Sequence, residues 1–129
     1  MSSDLTPDEL ALLQSAFEHA RNGDLARLVE LWDAGVPVNL TNGAGDTLLI
    51  LAAYHLQAEV VSALLDRGAD HTRVNDKGQT ALAAAVFRRA SGIVTELLAA
   101  GADPDLGPKS AFAVATFFDL PEMLELLRR

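Results

Sequence analysis

Cysteine is missing from this chain of 129 residues. Its absence excludes disulfides, thiolate metal sites and a cysteine nucleophile, and it fits a reducing cytosol. Aromatic residues are scarce, 5% of the chain against 50% hydrophobic overall. The core must therefore come from Leu, Ala and Val, a composition that favours helices packed closely on small side chains. Cations are outnumbered, 10 Lys and Arg against 18 Asp and Glu, for a formal net charge of -8. That balance opposes general binding to nucleic acid, whose affinity comes largely from cations neutralising phosphates. It suits solubility and attraction to a basic protein partner. No stretch approaches the roughly eighteen uninterrupted apolar residues that span a membrane. The opening "MSSDLTPDEL" has no basic stretch followed by an apolar run, so no secretory signal is expected and the expected location is the cytoplasm. The length suits one domain able to bury roughly two thirds of its unfolded surface.

What the chain does have is an internal repeat, the feature to look for first. Gly35, Gly68 and Gly101 follow one another at steps of 33 residues, and Gly45 with Gly78, Thr47 with Thr80, and Leu64-Leu65 with Leu97-Leu98 share the step. Written out, "GDTLLILAAYHLQAEVVSALLDRGAD" lies over "GQTALAAAVFRRASGIVTELLAAGAD". Each unit reads as two short helices and a connector. Thr47 and Thr80 are placed to accept hydrogen bonds from free backbone N–H groups as helix N-caps. The alanine-rich runs "LLILAA" and "ALAAAV" form the first helices. Val60, Val61, Leu64 and Leu65, and likewise Ile93, Val94, Leu97 and Leu98, make one apolar face of the second. Gly68 and Gly101 stand just past the helix end, where a left-handed residue closes the last turn at little cost. Neither unit alone buries its apolar face, whereas stacking buries all of them.

The outer units are irregular, as terminal repeats facing water should be. Thr6 caps a helix with Pro7 at its first position, and Glu9 completes a capping box; a second helix runs from Asp24 to Asp33 and ends before Gly35. Ser110 answers Thr80 with a step of 30, three residues being lost from the connector "DPDLGPK", and Pro121 opens the final helix. The expected architecture is all-α: four units, about 6–38, 39–71, 72–104 and 105–129, and eight helices in one domain.

These residues resemble the ankyrin-repeat family, whose pattern runs roughly G-x-T-P-L-H-x-A-A, then E-V-V-x-L-L, then G-A-D. The second unit has "GDTLLILAA", "EVVSALL" and "GAD", and the third "GQTALAAA", "IVTELL" and "GAD". The resemblance covers nearly the whole chain and is strong from about Gly35 to Asp103. It implies an ankyrin-repeat solenoid of stacked helix-turn-helix units joined by hairpin-like loops. Three positions depart from the pattern. Leu48 and Ala81 replace the family's proline. Ile50 and Ala83 replace the histidine that normally ties neighbouring connectors together. Leu56 and Arg89 replace the turn glycine between the helices, which points to altered turns. The resemblance also settles "NGAGDTLL" (Asn42 to Leu49), which has the look of a phosphate loop. A P-loop needs a lysine after its last glycine, whereas Asp46 stands there and would repel phosphate. The stretch reads as a hairpin tip whose Asn-Gly and Gly-Asp pairs accept positive backbone torsions.

Other candidate sites are weak. His19, His55 and His71 lack the i, i+4 spacing of a metal pair and read as surface or cap residues. Asp8 and Glu9 suit a helix N-terminus through the dipole; Asp103 and Asp105 belong to a connector. No serine has a G-x-S-x-G setting. No catalytic residue, cofactor or metal is expected. In ankyrin-repeat proteins partners commonly bind the concave surface made by first helices and hairpin tips. Carried over by register, that surface comprises Arg21, Tyr54, His55, Phe87, Arg88, Phe117 and Phe118 at the ends of the first helices. Asp46, Asp76, Lys77 and Gln79 join them from the hairpin tips. Tyr54, Phe87 and Phe117 recur at one place in successive units, as an aromatic ladder flanked by Arg21, His55 and Arg88; aromatics and arginines are the stuff of binding hot spots. The competing reading is packing, with Phe117 and Phe118 sealing the last unit and Trp32 filling the space beneath Leu65. The expected function is a non-catalytic protein-binding module, monomeric, with neither nucleic acid nor membrane as partner. The alternative is an acidic immunity or inhibitor protein that neutralises a basic toxin or enzyme.

Overall fold

The computed structural model describes residues 6–129; residues 1–5, the start of the segment read as lacking a secretory signal, lie outside the described residues. Among the described residues there are eight helices: α1 (Pro7–Asn22), α2 (Leu25–Asp33), α3 (Leu48–Tyr54), α4 (Ala58–Asp66), α5 (Ala81–Phe87), α6 (Ser91–Ala99), α7 (Ala111–Phe117) and α8 (Pro121–Leu127). Among the described residues β structure is confined to an isolated bridge between Thr41 and Thr47. The first helices form one layer, α1 on α3, α3 on α5 and α5 on α7; the second helices form another, α4 on α6 and α6 on α8. This is the all-α solenoid expected.

Helices of seven residues are too short to persist alone, so packing and caps must hold them. Thr47, Thr80 and Ser110 accept the backbone N–H groups of Ile50, Ala83 and Ala113 at 3.0, 3.1 and 3.1 Å, and all three caps are buried. The capping box of Thr6 and Glu9 closes the start of α1. In α5 every residue from Ala81 to Val86 is buried, because α3, α6 and α7 cover it on three sides. A helix apolar all round belongs in such a place, and alanine lets the neighbours approach. Trp32 is buried in the first unit, with the Arg67 guanidinium 4.9 Å above its ring.

The second helices end as expected. The N–H of Gly68 reaches the Leu65 carbonyl and that of Ala69 the Leu64 carbonyl, both at 3.0 Å, with Gly68 left-handed at φ 77°. This is the paired hydrogen-bond closure that a left-handed residue permits, and Gly35 and Gly101 repeat it.

Two departures from the family pattern have less effect than expected. Leu56 and Arg89 adopt left-handed backbone at φ 63° and 57°, as does Asp119 at 53° and as Gly23 does at 74°. All four occupy one register position. The turns keep their shape without glycine because Gln57, Ala90 and Leu120 donate to the carbonyls of Ala52, Ala85 and Ala115 at 2.8–2.9 Å. The cost is local strain of about 1 kcal/mol for each non-glycine residue. The missing histidine is offset as well. Asp76 N–H donates to the Ala44 carbonyl and Lys109 N–H to the Gly78 carbonyl, both at 3.0 Å, and Asn75 Nδ2 donates to Asp46 Oδ1 at 2.8 Å. The connectors are joined to one another by these bonds.

Candidate functional site

The first helices all end on the same side of the stack. Tyr54, Phe87 and Phe117 are the last residues of α3, α5 and α7. Tyr54 and Phe87 each end a helix otherwise buried along its length and precede a left-handed turn, so each projects from a rigid stem; Phe117 ends α7, where only Ala111, Val114 and Ala115 are buried. Tyr54 and Phe87 stack with centroids 6.1 Å apart and planes at 11°. The next rung differs from the expected ladder. Phe118, not Phe117, meets Phe87, edge to face at 5.4 Å, and Phe117 packs edge-on against Phe118 at 4.9 Å while its side chain stays 81% exposed. The connector shortened by three residues accompanies this shift. Tyr54 and Phe87 are each 39% exposed, so the ladder is packed along its stack and open on its outer edge.

The polar residues gather around it. Arg88 sends its guanidinium back over Tyr54, 5.2 Å from the ring centroid, and Nη1 donates to the Tyr54 carbonyl at 2.8 Å. His55 meets the Tyr54 ring edge-on at 5.2 Å. Partial burial, then the charges of Arg21 and Arg88, hold His55 below the ordinary histidine value, with Asp46 and Glu18 pulling the other way. Arg21 pairs with Glu18 at 2.6 Å.

The first two hairpin tips are each built by an asparagine. Asn42 Oδ1 accepts from the N–H groups of Ala44 and Asp46, and Asn75 Oδ1 from those of Lys77 and Gln79, at 2.9–3.0 Å. In the Asn42 tip the N–H groups of Ala44, Gly45 and Asp46 all donate within the loop, so they form no cradle for phosphate. The geometry of the two tips sets Asp46, Asp76, Lys77 and Gln79 opposite the ladder. Eight of the eleven candidate residues, namely Arg21, Asp46, Tyr54, His55, Asp76, Lys77, Gln79 and Phe87, line one groove of about 460 Å³. A second groove of about 380 Å³ adjoins it across Gln79 and Phe87 and takes in Phe117 and Phe118. Arg88 lines neither and works through Tyr54.

Lys109, which lines the second groove, was missed at the level of sequence. The signal was there: it stands immediately before the cap Ser110, as Asp46 and Gln79 stand before Thr47 and Thr80. Among the described residues no cluster of His, Asp and Glu could hold a metal ion, and no helix is long and apolar enough to cross a membrane.

Comparison with known proteins agrees with the geometry. The family model described as "Ankyrin repeats (3 copies)" matches residues 16–107. An ankyrin repeat protein of Pseudomonas aeruginosa is 49% identical over 45 residues, which are 35% of this chain. The matched stretch spans about a quarter (26%) of that relative's length. With repeat, caps, stack and profile in agreement, the chain belongs to the ankyrin-repeat family, whose repeats generally serve protein–protein interaction and are typically non-catalytic.

Proposed function

We propose that the chain is a non-catalytic module, monomeric and cytoplasmic, that docks a protein partner on the concave face made by the ends of α1, α3, α5 and α7 and the hairpin tips. The observation that carries this reading is the convergence of Arg21, Tyr54, His55 and Phe87 with the tips at Asp46, Asp76, Lys77 and Gln79 around one groove. Stacked rings on locked helix ends are preorganised, so little conformational freedom is lost when a partner arrives. Half-exposed aromatics beside arginines supply the area and polarity that dominate binding energy.

Affinity capture from the native lysate tests this, comparing the wild type with a Tyr54→Ala, Phe87→Ala double variant. A partner identified by mass spectrometry should be recovered from the wild type and lost from the variant. Equal recovery from both would remove the concave face, and turnover of a substrate by the purified chain alone would remove the whole reading.

The second reading, an acidic neutraliser of a basic toxin or enzyme, rests on the net charge of -8. The groove does not carry that surplus: Arg21 and Lys77 balance Asp46 and Asp76 in the larger part, and Lys109 stands alone in the smaller. A basic partner would have to engage the outer helices, where Glu30, Glu59, Glu122 and Glu125 are exposed. Its association would be fast and strongly weakened by salt. An affinity that barely changes with salt eliminates it.

A further inference from the structure

We infer that the smaller groove, between the hairpin tips and the ends of α5 and α7, takes a protein segment in which a large apolar side chain stands next to an Asp or Glu. This rests on the concave-face reading and narrows it to one partner chemistry.

Two independent features of the groove carry the inference. The first is apolar. Phe117 is 81% exposed, Phe118 48% and Phe87 39%, and the three rings form a continuous edge-to-face chain. Val114 and Ala113 complete the lining. Scattered exposed apolar residues are ordinary on any protein, whereas a contiguous, concave apolar patch marks a binding site. At about 380 Å³ it lies at the small end of the 300–1,000 Å³ range typical of ligand clefts, which suits an anchor of one or two side chains.

The second feature is charge. Lys109 is the one ionisable residue in the lining, in a chain with 18 acids and 10 Lys and Arg. Among the described residues Lys109 has no carboxylate within 4 Å, and neither does Lys77 on the adjoining tip. Asp119, although it follows Phe118 in sequence, lines a different cavity with Arg89 and Pro121. An anchor seated on the phenyl rings therefore meets a lone cation at the rim. A neighbouring carboxylate would pair with it in a site partly cleared of water, where the attraction is strengthened; a neighbouring Lys or Arg would be repelled.

The test pans a random-peptide display library against the full chain, then measures enriched peptides one at a time. Enriched sequences should place Asp or Glu within a residue or two of Trp, Phe, Leu, Ile or Met. Their Kd should rise about tenfold or more with Phe117→Ala and with Lys109→Glu, the size expected of hot-spot residues. Both side chains are exposed, so thermal unfolding should match the wild type. Enrichment of basic sequences overturns the inference, and so does enrichment of none. Peptides indifferent to Phe117→Ala and Lys109→Glu but lost with Tyr54→Ala remove this inference and leave the concave-face reading standing. Peptides indifferent to all three remove both. Sedimentation showing a dimer that Phe117→Ala dissolves would name a second copy as the occupant and likewise overturn the inference.

Discussion

Helices α5 and α7 occupy the same slot in successive repeats and have the same length, yet they are buried very differently. In α5 the six residues Ala81 to Val86 are all buried; in α7 only Ala111, Val114 and Ala115 are. Leu82 and Val86 are fully enclosed, while their counterparts Phe112 and Thr116 are partly and largely open. The two helices differ in their neighbours. Helix α5 has α3 on one side and α7 on the other, whereas α7 has α5 alone in its layer. Position in the stack decides how much each apolar side chain contributes, as expected for a quasi-one-dimensional fold.

The sharpest way to break the comparison is paired truncation. Leu82→Ala should cost about 2–5 kcal/mol, as cavities in rigid cores do. Phe112→Ala should cost less than half as much although it removes more atoms. Denaturant unfolding of the two variants measures this, and equal losses would mean that the terminal unit is as well enclosed as the centre.

The same logic applies to the connectors. Asn75 is buried, holds its own tip and also donates to Asp46, whereas Asn42 is less buried and bonds only within its tip. Asn75→Ala should cost about 1–3 kcal/mol through the partners it strands, and Asn42→Ala visibly less. At the turns the expected change has the opposite sign. Arg89 is exposed and left-handed, so Arg89→Asn, which tolerates that conformation, should stabilise by about 0.5–1 kcal/mol, read as a rise in Tm. The smallest effect concerns pH. His55 binds its proton less readily folded than unfolded, so the unfolded chain holds more protons as pH falls through the ordinary histidine value near 6.5, and stability should decline there. His55→Gln should flatten that part of the profile.

How much of this was legible beforehand differs by residue. The repeat, the threonine and serine caps and the glycine closures could be read directly, because each is a residue type at a fixed offset serving a local hydrogen bond. The groove's lining was largely readable through the register. Three features were not. Leu56 and Arg89 suggest altered turns only while local propensity is considered; the hydrogen bonds from Gln57 and Ala90 override it. The bonds joining the connectors use backbone groups and Asn75, and nothing in the family's histidine pattern marks them. The exchange of Phe118 for Phe117 against Phe87 depends on how the shortened connector sets the last unit, which a register count ignores.

Tyrosine and tryptophan each occur once, and the fold assigns them to different places: Trp32 enclosed beneath Arg67, Tyr54 on the groove's wall. The molecule thus contains two intrinsic optical reporters. Indole emission follows the parting of the first repeat from the second, and phenol absorbance follows what enters the cleft, so unfolding and ligation can be watched separately in the unlabelled protein.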